Sequence, residues 1–137
     1  RVLVAEDNAV NQRVARAMLS KLGYAADCVA NGVEAVTAVE RQHYDLVLMD
    51  FHMPELDGIA ATREIRRRLR HERPRIVAMT ADASESARRQ CLAAGMDDFI
   101  GKPVTREALV AAIERAWDAR HPVGAPAVPG GAQPAGR

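Results

Sequence analysis

Asp45-Leu46-Val47-Leu48-Met49, running into Asp50-Phe51-His52-Met53-Pro54 and on to Gly58, decides the fold. Four consecutive apolar residues bounded by a Pro/Gly turn show no alternation of polar and apolar positions. Such a strand is buried on both faces, the habit of parallel sheets covered by helices on each side. Toward the N-terminus, Val2-Leu3-Val4-Ala5 reads as another buried strand. Residues 8–22 then carry Ala15, Met18, Leu19 and Leu22 at helical spacing before Gly23 stops them. Residues 25–29 form a short strand, and Asn31 with Glu34 three positions later marks a helix running to about residue 42. Toward the C-terminus, a helix follows the Pro54/Gly58 loop to about residue 70, and residues 75–80 form the fourth strand. Residues 84–94 are a helix closed by Gly95, 98–100 the fifth strand, and Thr105 caps a last helix reaching about residue 120. Strict alternation of strands and helices predicts an α/β fold: a doubly wound, five-stranded parallel sheet in the order 2-1-3-4-5. Ligands of such sheets sit beyond the carboxyl ends of the strands.

Composition bounds the function classes. At 137 residues and 48% apolar content, one domain can bury a core without a metal or disulfide to staple it. Lys plus Arg (19) nearly balances Asp plus Glu (18), which argues against a bulk electrostatic grip on nucleic acid or an anionic membrane. Cys28 and Cys91 lie far apart and form no CxxC pair, a usage that fits a reducing compartment. The longest clean apolar run is the Leu46 strand itself, far short of a membrane span. The chain opens on Arg1 and an apolar strand, with no basic-then-apolar leader, and reads as a piece of a longer protein. Residues 121–137 hold four Pro and four Gly with no acidic residue, so the expected layout is a domain over 1–120 and a linker or disordered tail over 121–137.

The chemistry stands at the strand ends. Glu6-Asp7 follow the first strand and Asp50 the third; Thr80 ends the fourth, and Lys102-Pro103 follow the fifth. The expected strand order gathers three carboxylates, a hydroxyl and an ammonium on one rim. Clustered carboxylates repel, and a hard divalent cation with oxygen ligands resolves the repulsion; Mg²⁺ suits two carboxylates, a carbonyl and several waters. With the cation bound, Asp50 stays anionic and can act as nucleophile toward a phosphoryl group, whose oxygens Lys102 and Thr80 can then contact. Lys102 also stands out in a chain of 17 Arg and two Lys, because a compact ammonium suits a single-oxygen contact better than a planar guanidinium.

The strings EDNAVNQ, LVLMDFHMPELDG, VAMTA and DDFIGKP, in this order and spacing, resemble the receiver domain of two-component response regulators over roughly residues 2–120. The resemblance implies a flavodoxin-like fold and a phosphorelay role. Asp50 matches the phosphoacceptor, Asp7 the direct Mg²⁺ ligand, Glu6 the acid that holds metal-bound water, and the His52 carbonyl the backbone ligand. Thr80 and Phe99 match the two switch positions, Lys102 the phosphate-contacting lysine, and Lys102-Pro103 a bond that is cis in the family. Glu6 stands where many stand-alone receivers carry Asp, which should move metal-bound water without abolishing the site. The EDNxxNQ opening is similar to receivers attached to hybrid sensor histidine kinases, with a separate response regulator as the alternative parent. The implied activity is self-catalysed phosphorylation and slow dephosphorylation in the cytoplasm. The implied partner is a histidine kinase dimerisation domain or a histidine phosphotransfer protein, docking on Val10, Val14, Pro103 and Val104 with Asn11 nearest the phosphohistidine. Dimerisation is left open.

Competing readings are weaker. A haloacid dehalogenase-like phosphohydrolase also uses a strand-end Asp, but Asp50-Phe51-His52 lacks the second Asp of its DxD motif. A flavodoxin-like cofactor binder needs a Gly- or hydroxyl-rich phosphate loop after the first strand, where Glu6-Asp7 would repel phosphate. Four His without paired spacing make no zinc site. Cys91 falls on the stripe Ala87, Cys91, Ala94 and reads as packing. The seven arginines of residues 63–75 read as a solvated face opposite Ala61, Ile65 and Leu69, and the absence of interleaved aromatics argues against nucleic acid.

Overall fold

A computed structural model describes residues 1–70, 73–82 and 84–120. The elements alternate as β1 (Val2–Ala5), α1 (Ala9–Lys21), β2 (Ala26–Val29), α2 (Gly32–Arg41), β3 (Leu46–Asp50), α3 (Gly58–Arg68), β4 (Arg75–Thr80), α4 (Glu85–Ala94), β5 (Asp98–Gly101) and α5 (Arg106–Arg120). All strand pairs are parallel and the order is β2-β1-β3-β4-β5, as the sequence predicts. Side chains alternate across each strand, and the two faces separate two cores. Leu3, Ala5, Val47, Met49, Ile76 and Ala78 face α2, α3 and α4, meeting Val36, Ile65 and Cys91. Val2, Val4, Leu46, Leu48, Val77 and Met79 face α1 and α5, meeting Ala15, Leu19 and Leu109. With helices on both faces, the sheet has no polar side to reward alternation. That is the reason β3 reads as an unbroken apolar run.

Each helix start has a local cause. Asn8, Asn31, Asp57 and Ser84 accept a hydrogen bond from the backbone N–H three residues on, which satisfies a donor the helix leaves unpaired. Thr105 does the same for Ala108. Glu34 does not close the reciprocal box on Asn31; its carboxylate accepts from the N–H of Ala30 instead. Gly23 (φ 91°) and Gly95 (φ 107°) turn the chain out of α1 and α4 through the left-handed region that glycine tolerates.

Two expectations need correction. Helix α3 ends at Arg68 rather than near residue 70, because Leu69 turns extended and packs partly against the core under α2 and α3. The arginines of this region are not uniformly solvated. Arg66, with 11% of its side chain exposed, donates to Gly95 O (2.9 Å), Pro74 O (2.7 Å) and Asp97 Oδ2 (2.7 Å). Its fork ties the end of α3 to the entrances of β4 and β5. The expectation of a linker over 121–137 lies outside the described residues.

Candidate functional site

β3 is the central strand, and its last residue, Asp50, carries its carboxylate onto the rim where the chain leaves the sheet. Asp50 is only 4% exposed and Glu6 2%. Asp7 is exposed beside them. One carboxylate oxygen from each of Glu6, Asp7 and Asp50 lies within 4.8 Å of the others. Lys102, delivered by the turn after β5, sits between two of them, with Nζ 2.9 Å from Glu6 Oε1 and 3.0 Å from Asp50 Oδ2. The Lys102-Pro103 bond is cis, as the resemblance implies. Burial alone pulls the Lys102 ammonium down, but the hydrogen bonds and charges of Glu6 and Asp50 outweigh it and hold its pKa above the ordinary lysine value. Asp7 has no hydrogen bond or ion pair among the described residues. Lys102 serves two of the three carboxylates and leaves Asp7 without a cation, so the donor set fits a hard cation that takes oxygen ligands.

The loops around the carboxylates are held from behind. Asn8 N–H donates to Glu6 Oε2 (3.1 Å), and His52 N–H to Asp50 Oδ1 (3.3 Å). The His52 ring stands edge-on to Phe51, with ring centroids 4.9 Å apart. Thr80 is buried on β4, one step past Met79, the neighbour of Asp50. Its hydroxyl is engaged by the backbone of Asp82: it donates to Asp82 O and accepts from Asp82 N–H, both at 3.0 Å. Phe99 packs partly against the α4-side core, under the Arg88 guanidinium at 5.6 Å from the ring centroid. That cation–π contact was not foreseen from sequence. Beside the carboxylates, an open cleft of about 350 Å³ is lined by Glu6, Asn11, Val14, Lys102, Pro103 and Val104, among others. Val14 (45% exposed) lines its α1 side, and Val10 (57%) is exposed four residues earlier on the same helix without lining the cleft. The structure thus brings Glu6, Asp7, Asp50 and Lys102 together and leaves the Thr80 hydroxyl bonded to Asp82. It also adds Gln12, which the sequence marked only as the end of a motif: its Nε2 donates to the Glu6 carbonyl at 2.6 Å.

Residues 2–114 match the response regulator receiver domain as a family. The chain is a receiver domain. It is 48% identical to the receiver domain of a sensor histidine kinase of Pseudomonas aeruginosa PAO1, a structure with magnesium ion coordinated in the active site cleft. That match covers 83% of this chain and 93% of the other, with a TM-score of 0.76. The receiver also matches, at 31% identity and TM-score 0.81, a chain of a Saccharomyces cerevisiae complex. That complex joins a histidine phosphotransfer signaling protein to the receiver domain of its downstream response regulator, and the match covers 90% of this chain and 92% of that one. Among curated proteins, it is 43% identical over 123 residues to hybrid signal transduction histidine kinase K of Dictyostelium discoideum. The match covers 85% of this receiver but 10% of that protein, so the receiver spans only a small part of such relatives. Among the described residues no helix is long and apolar enough to cross a membrane.

Proposed function

We propose that this receiver takes a phosphoryl group from a phosphohistidine onto Asp50, as one station of a phosphorelay within a hybrid sensor histidine kinase in the cytoplasm. One observation carries the reading: a buried carboxylate at the end of the central strand, with an ammonium at 3.0 Å and two further carboxylates within 4.8 Å. An Asp50 oxygen attacks phosphorus, the phosphorus–nitrogen bond breaks, and its electron pair returns to the imidazole. Hydrolysis reverses the charge state: water attacks phosphorus, the acyl phosphate bond breaks, and Asp50 regains its carboxylate. Mg²⁺ fits the donor set, with Glu6, Asp7, Asp50 and the His52 carbonyl as the residues that hold it or its waters. When bound, it offsets the negative charge that gathers as the phosphoryl group arrives. Lys102, already between Glu6 and Asp50, contacts a phosphoryl oxygen. Thr80 must release Asp82 to reach that group, so phosphorylation and the β4–α4 loop are coupled through one hydroxyl. Nothing favours the phosphohydrolase alternative, since no second carboxylate follows Asp50 at the DxD position.

The partner is a histidine-bearing helical bundle, from a phosphotransfer protein or a kinase dimerisation domain. Val14 and Pro103-Val104, which line the cleft, with exposed Val10 on the same helix as Val14, supply a small apolar contact, enough to align donor and acceptor without slowing release. Two experiments test the reading. Incubation with acetyl phosphate and Mg²⁺ should place one acid-labile phosphate on the parent and none on Asp50→Asn, and stoichiometric labelling of that variant would falsify the assignment. Val14→Asp should slow transfer from a phosphorylated partner while leaving acetyl phosphate labelling intact; equal effects on both donors would remove the docking surface.

A further inference from the structure

EDNAVNQ contains a residue that the proposed chemistry leaves unused. Glu6 and Asp7 supply carboxylates and Asn8 caps α1, yet Gln12 touches neither phosphate nor cation. It stands one turn into α1, where its own N–H bonds to Asn8 O at 3.0 Å. Its side chain leans back toward the helix start, the direction helical side chains favour. There Nε2 donates to Glu6 O at 2.6 Å and reaches Val29 O at 3.4 Å. Val29 O also accepts from Glu6 N–H at 3.0 Å. Both groups facing the amide are carbonyl oxygens, so a donor is required and a carboxylate would be repelled.

The Glu6 carbonyl belongs to the rigid peptide plane that joins Glu6 to Asp7. Holding it fixes the direction in which Asp7 leaves the strand, and Asp7 has no hydrogen bond or ion pair of its own among the described residues. We propose that Gln12 is a positioning residue, whose amide orients the Glu6-Asp7 arm for the cation. The inference rests on the cation-binding reading of the site. Groups that orient metal ligands from behind typically change affinity 10–100-fold when removed. Gln12→Met keeps length and helix propensity but removes both donated bonds.

Mg²⁺ titration of the full chain, followed by the amide shifts of Asp7 and Asp50, tests this. The dissociation constant of Gln12→Met should rise about tenfold. Acetyl phosphate labelling of Gln12→Met should need a correspondingly higher Mg²⁺ concentration to reach half its maximal rate. Val36→Ala, which thins the core under α2 far from the cleft, should lower the melting temperature without moving the constant. Parent-like Mg²⁺ affinity in Gln12→Met, or an equal loss in Val36→Ala, overturns the positioning role while leaving the site reading intact. A parent chain that binds no Mg²⁺ overturns the site reading and this inference with it.

Discussion

Arg66 and Tyr44 show how much of this receiver depends on single polar side chains placed under apolar ones. Arg66 satisfies two carbonyls and a carboxylate, and Asp97 Oδ2 also accepts from Ile76 N–H at 2.9 Å. Burial draws the guanidinium pKa down, with Asp97 opposing. Loss of Arg66 leaves Asp97 with Arg75 at 3.4 Å but orphans the carbonyls of Gly95 and Pro74. Arg66→Met should therefore cost about 1–3 kcal/mol in a urea denaturation, and Arg66→Lys less, because lysine keeps the charge but not the three-way fork. A midpoint unchanged by Arg66→Met would return it to the solvated face that its six arginine neighbours suggested. The sequence could not separate Arg66 from its neighbours, since its acidic partner lies 31 positions away. Tyr44 donates to Asp27 Oδ2 at 2.6 Å, and burial, then this bond, pushes its hydroxyl up to about 12. A raised folded-state value favours the protonated phenol, so its contribution to stability is complete below pH 10.0 and is lost as the pH climbs toward 12. Titration of phenolate absorbance should show a late component that Tyr44→Phe removes.

At the scale of elements, two helix starts are pressed against the loop that leaves β3. A Cβ at Gly58 would overlap the carbonyl oxygen of Asp50, and one at Gly32 would overlap that of Leu56. The first turns of α3 and α2 thus act as walls that hold 51–57 in place from two sides. Gly58→Ala must shift the backbone of the phosphoacceptor. It should cost about 1–3 kcal/mol as overpacking does, and slow acetyl phosphate labelling even under conditions where the variant is fully folded. Labelling at the parent rate would show that the loop yields without moving Asp50. The strand and helix pattern was legible because period and capping are local signals: Asn31 and Thr105 cap where the sequence places caps, and the helical stretches read from residues 8 and 84 prove to be capped by Asn8 and Ser84. The walls were not legible, for a close approach between helix start and loop depends on tertiary placement that no spacing encodes. The site divides the same way. Glu6, Asp7, Asp50 and Lys102 meet because strand order follows from topology, whereas the Thr80 bond to Asp82 and the Gln12 bond to Glu6 depend on rotamers.

Over the whole molecule, packing and charge oppose each other at one end of the sheet. The two cores are closed by apolar side chains from all five strands, but the carboxyl rim holds three carboxylates against one ammonium. Like charges this close destabilise the compact state, and Asp7 bears the excess because Lys102 is shared by Glu6 and Asp50. A cation that binds the folded chain and not the unfolded one must therefore stabilise it by mass action, by about 2.7 kcal/mol at a hundred times its dissociation constant. For a domain of this size that corresponds to a rise of about 10 °C in melting temperature. Asp7→Asn should do two opposite things. Without metal it should melt higher than the parent, because it relieves repulsion at no cost in packing. With Mg²⁺ it should gain little, because a direct ligand has become a neutral, weaker one. Thermal melts of parent and variant with and without Mg²⁺ read both effects at once. A variant that melts lower than the parent in metal-free buffer would mean Asp7 holds structure rather than charge, and a full Mg²⁺ gain in Asp7→Asn would move the cation away from Asp7.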